Sequence, residues 1–248
     1  MLKNKKILII ASTLFVIIEI VLSVTIQKSH GEINRYASYF SVCLACLFAA
    51  LFIENTWKYK MTQLALIMTV LADYFLVMMA DLQQFPAMIF FSVAQLSYFN
   101  RIFVSSDRRL ERICHIAVRC SAVVFTLALT LIVLGRKADA VSIVSMFYFA
   151  NLVSNIIFSF VQFRMNYLLA IGLLLFACCD VLIGFSFLEN YIEIKPGTLA
   201  YKLAHPGGNF AWMFYVPSQT LIALSLIPDR LKKIKSYKTD DCPIKDQF

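Results

Sequence analysis

The sequence predicts an all-α membrane protein, a bundle of eight transmembrane helices, and three observations carry that prediction. Of the 248 residues, 60% are hydrophobic and mean hydropathy is +0.74. That is more apolar surface than a soluble domain of this length buries. Apolar runs close to the ~20 residues that cross a bilayer recur at 7–25, 36–53, 61–80, 85–103, 118–134, 140–160, 165–187 and 210–227. The basic residues are distributed in register with these runs. With the N-terminus inside, only Lys28, Arg35, Arg136, Lys137, Lys195 and Lys202 of the 23 Lys and Arg residues fall outside. This is the positive-inside pattern for an even number of spans, with both termini cytoplasmic and the chain in the cell membrane.

The first run follows Lys3, Lys5 and Lys6 and has the outline of a signal peptide. It lacks a small-x-small cleavage site and carries Glu19, so retention as a helix is expected. The second and fifth runs are short or flanked by charge. The third and fourth meet at a polar hinge, Asp81-Leu82-Gln83-Gln84, and together form the stretch 64–103. Asp73 sits in the middle of one run and Gln95 in the middle of the other. The sixth carries Asn151 and Asn155 one turn apart, the seventh Asp180 and the eighth Gln219. Loops are short except 188–209, which holds Glu189, Glu193, Pro196-Gly197 and His205-Pro206-Gly207-Gly208 and reads as a lid or a plain connector. Residues 1–228 then make one transmembrane domain. Residues 229–248 make a basic cytoplasmic tail, suited to anionic lipid headgroups through 230–238.

Several chemistries are argued against. Cys43-x-x-Cys46 lies in an apolar run without a second pair, so it reads as small residues in a helix. None of the seven cysteines falls in a segment placed outside, so no disulfide framework is implied. There is no Gly-rich phosphate loop, His-Glu-x-x-His or Gly-x-Ser-x-Gly motif. His30, His115 and His205 lie at or beyond the ends of the expected helices and do not cluster in sequence. That argues against a zinc site or a Ser-His-Asp triad. No metal and no cofactor are expected. The net charge of +8 is concentrated in the inner segments, so nucleic acid is not an expected partner.

The third and fourth runs are echoed by the seventh and eighth. Leu71-Ala72-Asp73-Tyr74-Phe75-Leu76 parallels Cys178-Cys179-Asp180-Val181-Leu182-Ile183, and Val93-Ala94-Gln95 is loosely matched by Val216-Pro217-Ser218-Gln219. A 4+4 parallel repeat about an axis along the membrane normal would explain this. At 1.5 Å per residue, Asp73 lies roughly 18 Å and Asp180 roughly 22 Å from the inner boundary, and Gln95 and Gln219 roughly 15 Å from the outer one. These groups therefore share one layer of a core about 30 Å thick. Glu19, Asn151 and Asn155 reach the same layer and are expected to join helices by hydrogen bonding. A carboxyl group at that depth is costly and usually faces a bundle interior or a wet cavity. Two of them together supply an acid and a base, the pair that hydrolysis needs.

Four elements in order resemble the YhhN-like lysoplasmalogenase family of multi-pass membrane proteins. They are Ala72-Asp73-Tyr74-Phe75-Leu76, Ala94-Gln95-Leu96-Ser97-Tyr98, Cys179-Asp180-Val181-Leu182-Ile183, and Tyr215-Val216-Pro217-Ser218-Gln219-Thr220-Leu221-Ile222. Gln95 stands where the family pattern has histidine, and Cys179 where it has serine. The resemblance implies hydrolysis of the vinyl ether bond of lysoplasmalogens, giving a fatty aldehyde and a glycerophospho-headgroup. On that reading Asp73 and Asp180 are catalytic, and Gln95, Tyr98, Tyr215 and Gln219 bind the substrate, a lysophospholipid-like lipid drawn from the bilayer. Two other classes fit the same features. One is a proton-coupled transporter or lipid exporter; the other is an inactive lipid-binding member of the family.

Overall fold

The computed structural model describes residues 5–51, 56–79, 83–106, 109–205 and 209–227. The described residues form α-helices and contain no strand. They are α1 (Lys5–Lys28), α2 (Gly31–Ala50), α3 (Trp57–Asp73), a π-helical turn (Tyr74–Met78), α4 (Gln84–Val104), α5 (Arg109–Leu134), α6 (Ala140–Val161), α7 (Phe163–Leu188), α8 (Leu199–Ala204) and α9 (Phe210–Leu224), with a 3-10 turn at Gly135–Lys137. Seven helices are long and apolar enough to cross a membrane, in agreement with an all-α membrane bundle. The expected eighth span is shorter, 15 residues in α9. Its chain direction is set by Asn209, whose amide donates to the carbonyls of Ile26 at 2.7 Å and Ser29 at 3.1 Å.

Packing closes six of the helices into a ring, in the order α2, α3, α4, α6, α7, α9 and back to α2. α3 lies against α4, and α7 against α9, more extensively than any other pair. These are the two pairs whose sequences echo each other. α1 rests outside the ring on α2 and α9, while α5 leans mainly on α6 and turns Val124, Phe125 and Ile132 outward. In a ring of this order α3 and α7 stand on opposite sides of the centre.

One glycine sets the closest seam. A Cβ on Gly172 of α7 would meet Ile222 Cγ1 at 2.8 Å and the Ser218 carbonyl at 3.1 Å. Only hydrogen lets the α7 and α9 backbones approach so far.

Three boundaries differ from the sequence expectation, each for a physical reason. α5 begins at Arg109, not at 118. Apolarity ends near 118, but the helix does not: Arg112 Nε donates to the Ser106 carbonyl at 2.9 Å, and Glu111 and His115 meet at i, i+4. This corrects the placing of His115 at a helix end. It is buried inside α5 and stacked on Phe158 with ring centroids 3.5 Å apart. α3 gives way to the π-turn directly after Asp73, inside what reads as one apolar run. The long connector 188–209 contains α8, capped by the Thr198 hydroxyl on the Tyr201 amide. Of the expected hinge, Asp81 and Leu82 lie outside the described residues, as do residues 206–208 and the basic tail.

Candidate functional site

Asp73 is the last α-helical residue of α3 and is buried, 3% exposed. The π-turn that follows is anchored from two sides. Arg35 on α2 donates from Nε to the Val77 carbonyl and from Nη2 to the Met78 carbonyl, both at 2.8 Å. The Gln83 amide reaches the Phe75 carbonyl at 3.3 Å. Carbonyls at a helix end have no intrahelical partner, and a guanidinium satisfies two of them at once. π-turns inside helices are frequent at functional positions because the widened turn re-aims the side chains around it.

Two aspartate–tyrosine pairs occupy the middle of the ring. Tyr215 on α9 donates to Asp73 Oδ2 at 2.6 Å. Tyr148 on α6 donates to Asp180 Oδ2. Between the two tyrosines stands Phe176 of α7, edge-on to Tyr215 at 5.3 Å and to Tyr148 at 6.5 Å. Phe91 of α4 closes the cluster against Tyr148 at 5.6 Å and Phe176 at 5.8 Å. Phe176 touches both tyrosines, so the two pairs belong to one packed cluster. Among the described residues no cation pairs with either carboxyl group.

The remaining sequence candidates lie around this cluster rather than in it. Gln95 is fully buried on α4, one turn past Phe91, and receives Asn155 Nδ2 on its side-chain Oε1 at 2.9 Å and on its backbone carbonyl at 2.8 Å. Tyr98 is fully buried one turn further along α4 and faces Thr69 of α3. Gln219 is fully buried on α9, and neither its Oε1 nor its Nε2 has a hydrogen-bond partner. No hydrogen bond joins Gln95, Tyr98 or Gln219 to either aspartate among the described residues. Glu19, expected to join helices, accepts from Ser41 of α2 at 2.6 Å.

Two residues that sequence reasoning passed over prove central. Tyr148 carries no motif of its own, but it stands three residues before Asn151 and seven before Asn155. That spacing puts all three on one face of α6. Arg119 lies in a run read as apolar, and here it is buried against that face. Its guanidinium donates to the side-chain oxygens of Asn151 and Asn155, the latter at 2.5 Å, and sits 4.1 Å from the ring centroid of Phe99. The same face of α6 continues to Gln162, which donates to Ser106 and Glu111 at 2.8 Å each.

An open groove of about 590 Å³ lies on the outer side of α2, lined by Ile33, Tyr36, Ala37, Tyr39, Phe40 and Cys43. Tyr39 and Cys43 follow Arg35 at i+4 and i+8, on the stripe of α2 that meets the π-turn. The Tyr39 ring lies 6.3 Å from that of Tyr74. The groove thus borders, through Tyr39, the first residue of the turn that follows Asp73.

No curated protein and no solved structure matches the chain. The sequence model of the YhhN family matches residues 33–226, a stretch that contains both aspartates, both tyrosines, Gln95 and the groove. With most of its length covered by that match, the chain belongs to the YhhN family.

Proposed function

We propose that this protein is a membrane hydrolase of the lysoplasmalogenase type, cleaving the vinyl ether bond of a single-chain phospholipid by aspartate acid–base catalysis. The observation that carries this reading is the pair of carboxyl groups, Asp73 buried and Asp180 partly buried, each held by a tyrosine hydroxyl around the shared Phe176 ring and, among the described residues, without a cation. A vinyl ether hydrolyses when an acid protonates its outer alkene carbon and water then adds to the oxocarbenium ion. The hemiacetal so formed collapses to the aldehyde and the free glycerol hydroxyl.

Asp73 and Asp180 supply the two functions, one as proton donor and the other, ionised, as the group that stabilises the cation and takes a proton from water. Paired carboxylates do the same at glycosidic bonds. Tyr215 and Tyr148 fix the carboxyl groups in direction, and Tyr98, Gln95 and Gln219 line the surrounding space. The lipid tail lies along the α2 groove, whose lining of Ile33, Tyr36, Ala37 and Phe40 suits an acyl-like chain. The test is aldehyde release by the purified protein from a lysoplasmalogen. Release that disappears in Asp73→Asn and in Asp180→Asn supports the reading. A wild type that releases none refutes it.

One observation favours a second reading, a proton-coupled carrier. The polar face of α6 from Tyr148 to Gln162 runs along most of that helix. Lipid or solute flux in proteoliposomes that follows an imposed proton gradient, without aldehyde, would select it.

A further inference from the structure

The buried Arg119 needs an explanation that helix packing alone does not supply. Among the described residues no carboxylate pairs with it, and its Nε has no partner. A cation taken out of water without an anion is expensive, and neutral amides would hold α5 to α6 at lower cost. What the guanidinium adds is direction, because arginine only donates hydrogen bonds. Its Nη2 fixes Oδ1 of Asn155 as the acceptor, at 2.5 Å. That leaves Nδ2 of Asn155 as the atom facing α4, where it donates to the backbone carbonyl and Oε1 of Gln95 at 2.8 and 2.9 Å. The Gln95 acceptor is therefore consumed, and the atom left over is the Nε2 donor. It is fully buried and has no partner.

We propose that Arg119 and Asn155 are positioning residues that make Gln95 an obligate hydrogen-bond donor, and that its Nε2 reads an oxygen acceptor on the bound lipid. Each link passes polarity in one direction, from the cation through two amides to the open donor. The acceptor is an oxygen of the glycerophosphate part, either the phosphate or the glycerol ether oxygen. Histidine in place of Gln95 offers the same pair of functions, since one ring nitrogen accepts from Asn155 while the other donates. Methionine matches the volume of glutamine and offers no donor. The inference rests on the lipid-hydrolase reading for the class of ligand, while the orientation of Gln95 rests on the hydrogen bonds alone.

The experiment measures binding, not turnover, in nanodiscs. The probes are a lysophospholipid with a saturated alkyl ether chain, which has no vinyl bond to cleave, and the alkylglycerol that lacks its phosphate. Gln95→Met is expected to weaken the phospholipid about tenfold, the weight of a hydrogen bond to a charged acceptor. Gln95→His is expected to bind close to wild type. A loss confined to the phospholipid identifies the phosphate as the acceptor, and an equal loss on both probes identifies the ether oxygen. Arg119→Met should weaken binding too, and Gln95→Met should then add little to it, because the two act in one relay.

Should Arg119→Met fail to fold, Asn155→Asp keeps a partner for the guanidinium but removes the donor to Gln95, and the same loss is expected. Folded Gln95→Met that binds both probes like wild type overturns the donor subsite, as does Gln95→His losing as much as Gln95→Met. Folded Arg119→Met or Asn155→Asp with wild-type binding overturns the relay. Absence of aldehyde from a lysoplasmalogen, with these binding results intact, refutes the hydrolase and leaves the subsite standing.

Discussion

Asp73 and Asp180 are held by the same device on different backbones. Each accepts from one tyrosine on another helix of the ring, Tyr215 of α9 for Asp73 and Tyr148 of the neighbouring α6 for Asp180. Past Asp180 the α-helix runs on for two turns to Leu188. Past Asp73 it widens at once into the π-turn, whose end depends on the Arg35 guanidinium and the Gln83 amide. Asp180 therefore sits on a rigid element and Asp73 on one whose local geometry is set by neighbours. The turn after Asp73 also meets the α2 groove, through Tyr74 against Tyr39. The difference teaches that a repeated motif can place two like groups in one layer and still leave only one of them beside a turn whose geometry is set by neighbouring side chains.

The largest expected effect on this comparison is loss of both carboxylates one at a time. Asp73→Asn and Asp180→Asn should each cut aldehyde release by about a hundredfold or more, the range of acid–base catalysis. Retention of full activity in either variant would remove that residue from the pair.

The tyrosines come next. Tyr215→Phe and Tyr148→Phe remove one hydrogen bond to a carboxyl group each, worth about tenfold in rate. The two should differ in kind. Tyr215 orients the aspartate on the adjustable backbone, so its loss should raise KM as well as lower kcat. Tyr148→Phe should lower kcat alone, and identical kinetic changes in the two variants would erase the asymmetry.

A third effect tests the close seam between α7 and α9 by stability. Gly172→Ala drives a methyl group into Ile222 and the Ser218 carbonyl, and should cost about 1–3 kcal/mol by overpacking. Gly184→Ala, further along the same helix with open space around it, should be neutral or slightly stabilising. Thermal melting in detergent checks both.

The smallest effect is Arg35→Met, which frees the Val77 and Met78 carbonyls and should cost about 1 kcal/mol. Amide hydrogen exchange should rise in the π-turn Tyr74–Met78 and stay unchanged around Asp180. An unchanged exchange rate at Tyr74–Met78 would show that the turn is held without the guanidinium.

The sequence by itself determined the class of the molecule and the candidate acids. Hydropathy is a sum over neighbours in the chain, so seven membrane-length helices and most of their bounds were readable from composition in windows. A carboxyl group in an apolar run stands out for the same reason, which is why Asp73 and Asp180 were legible as candidates; that the two echoing pairs are also the most extensively packed ones came from the fold.

The tertiary structure decided the rest, because it depends on partners distant in sequence. A hydropathy window loses α5 at its charged first turns, where the helix is kept by Ser106, Glu111 and Asn151 rather than by apolarity. The change from α to π after Asp73 leaves no mark in composition; it follows from contacts to Arg35, 38 residues earlier, and to Gln83. Tyr148 and Arg119 look like an ordinary aromatic and a flanking charge until α6 is turned toward the ring. Only then does one become the partner of Asp180 and the other the cation that aims Asn155 at Gln95.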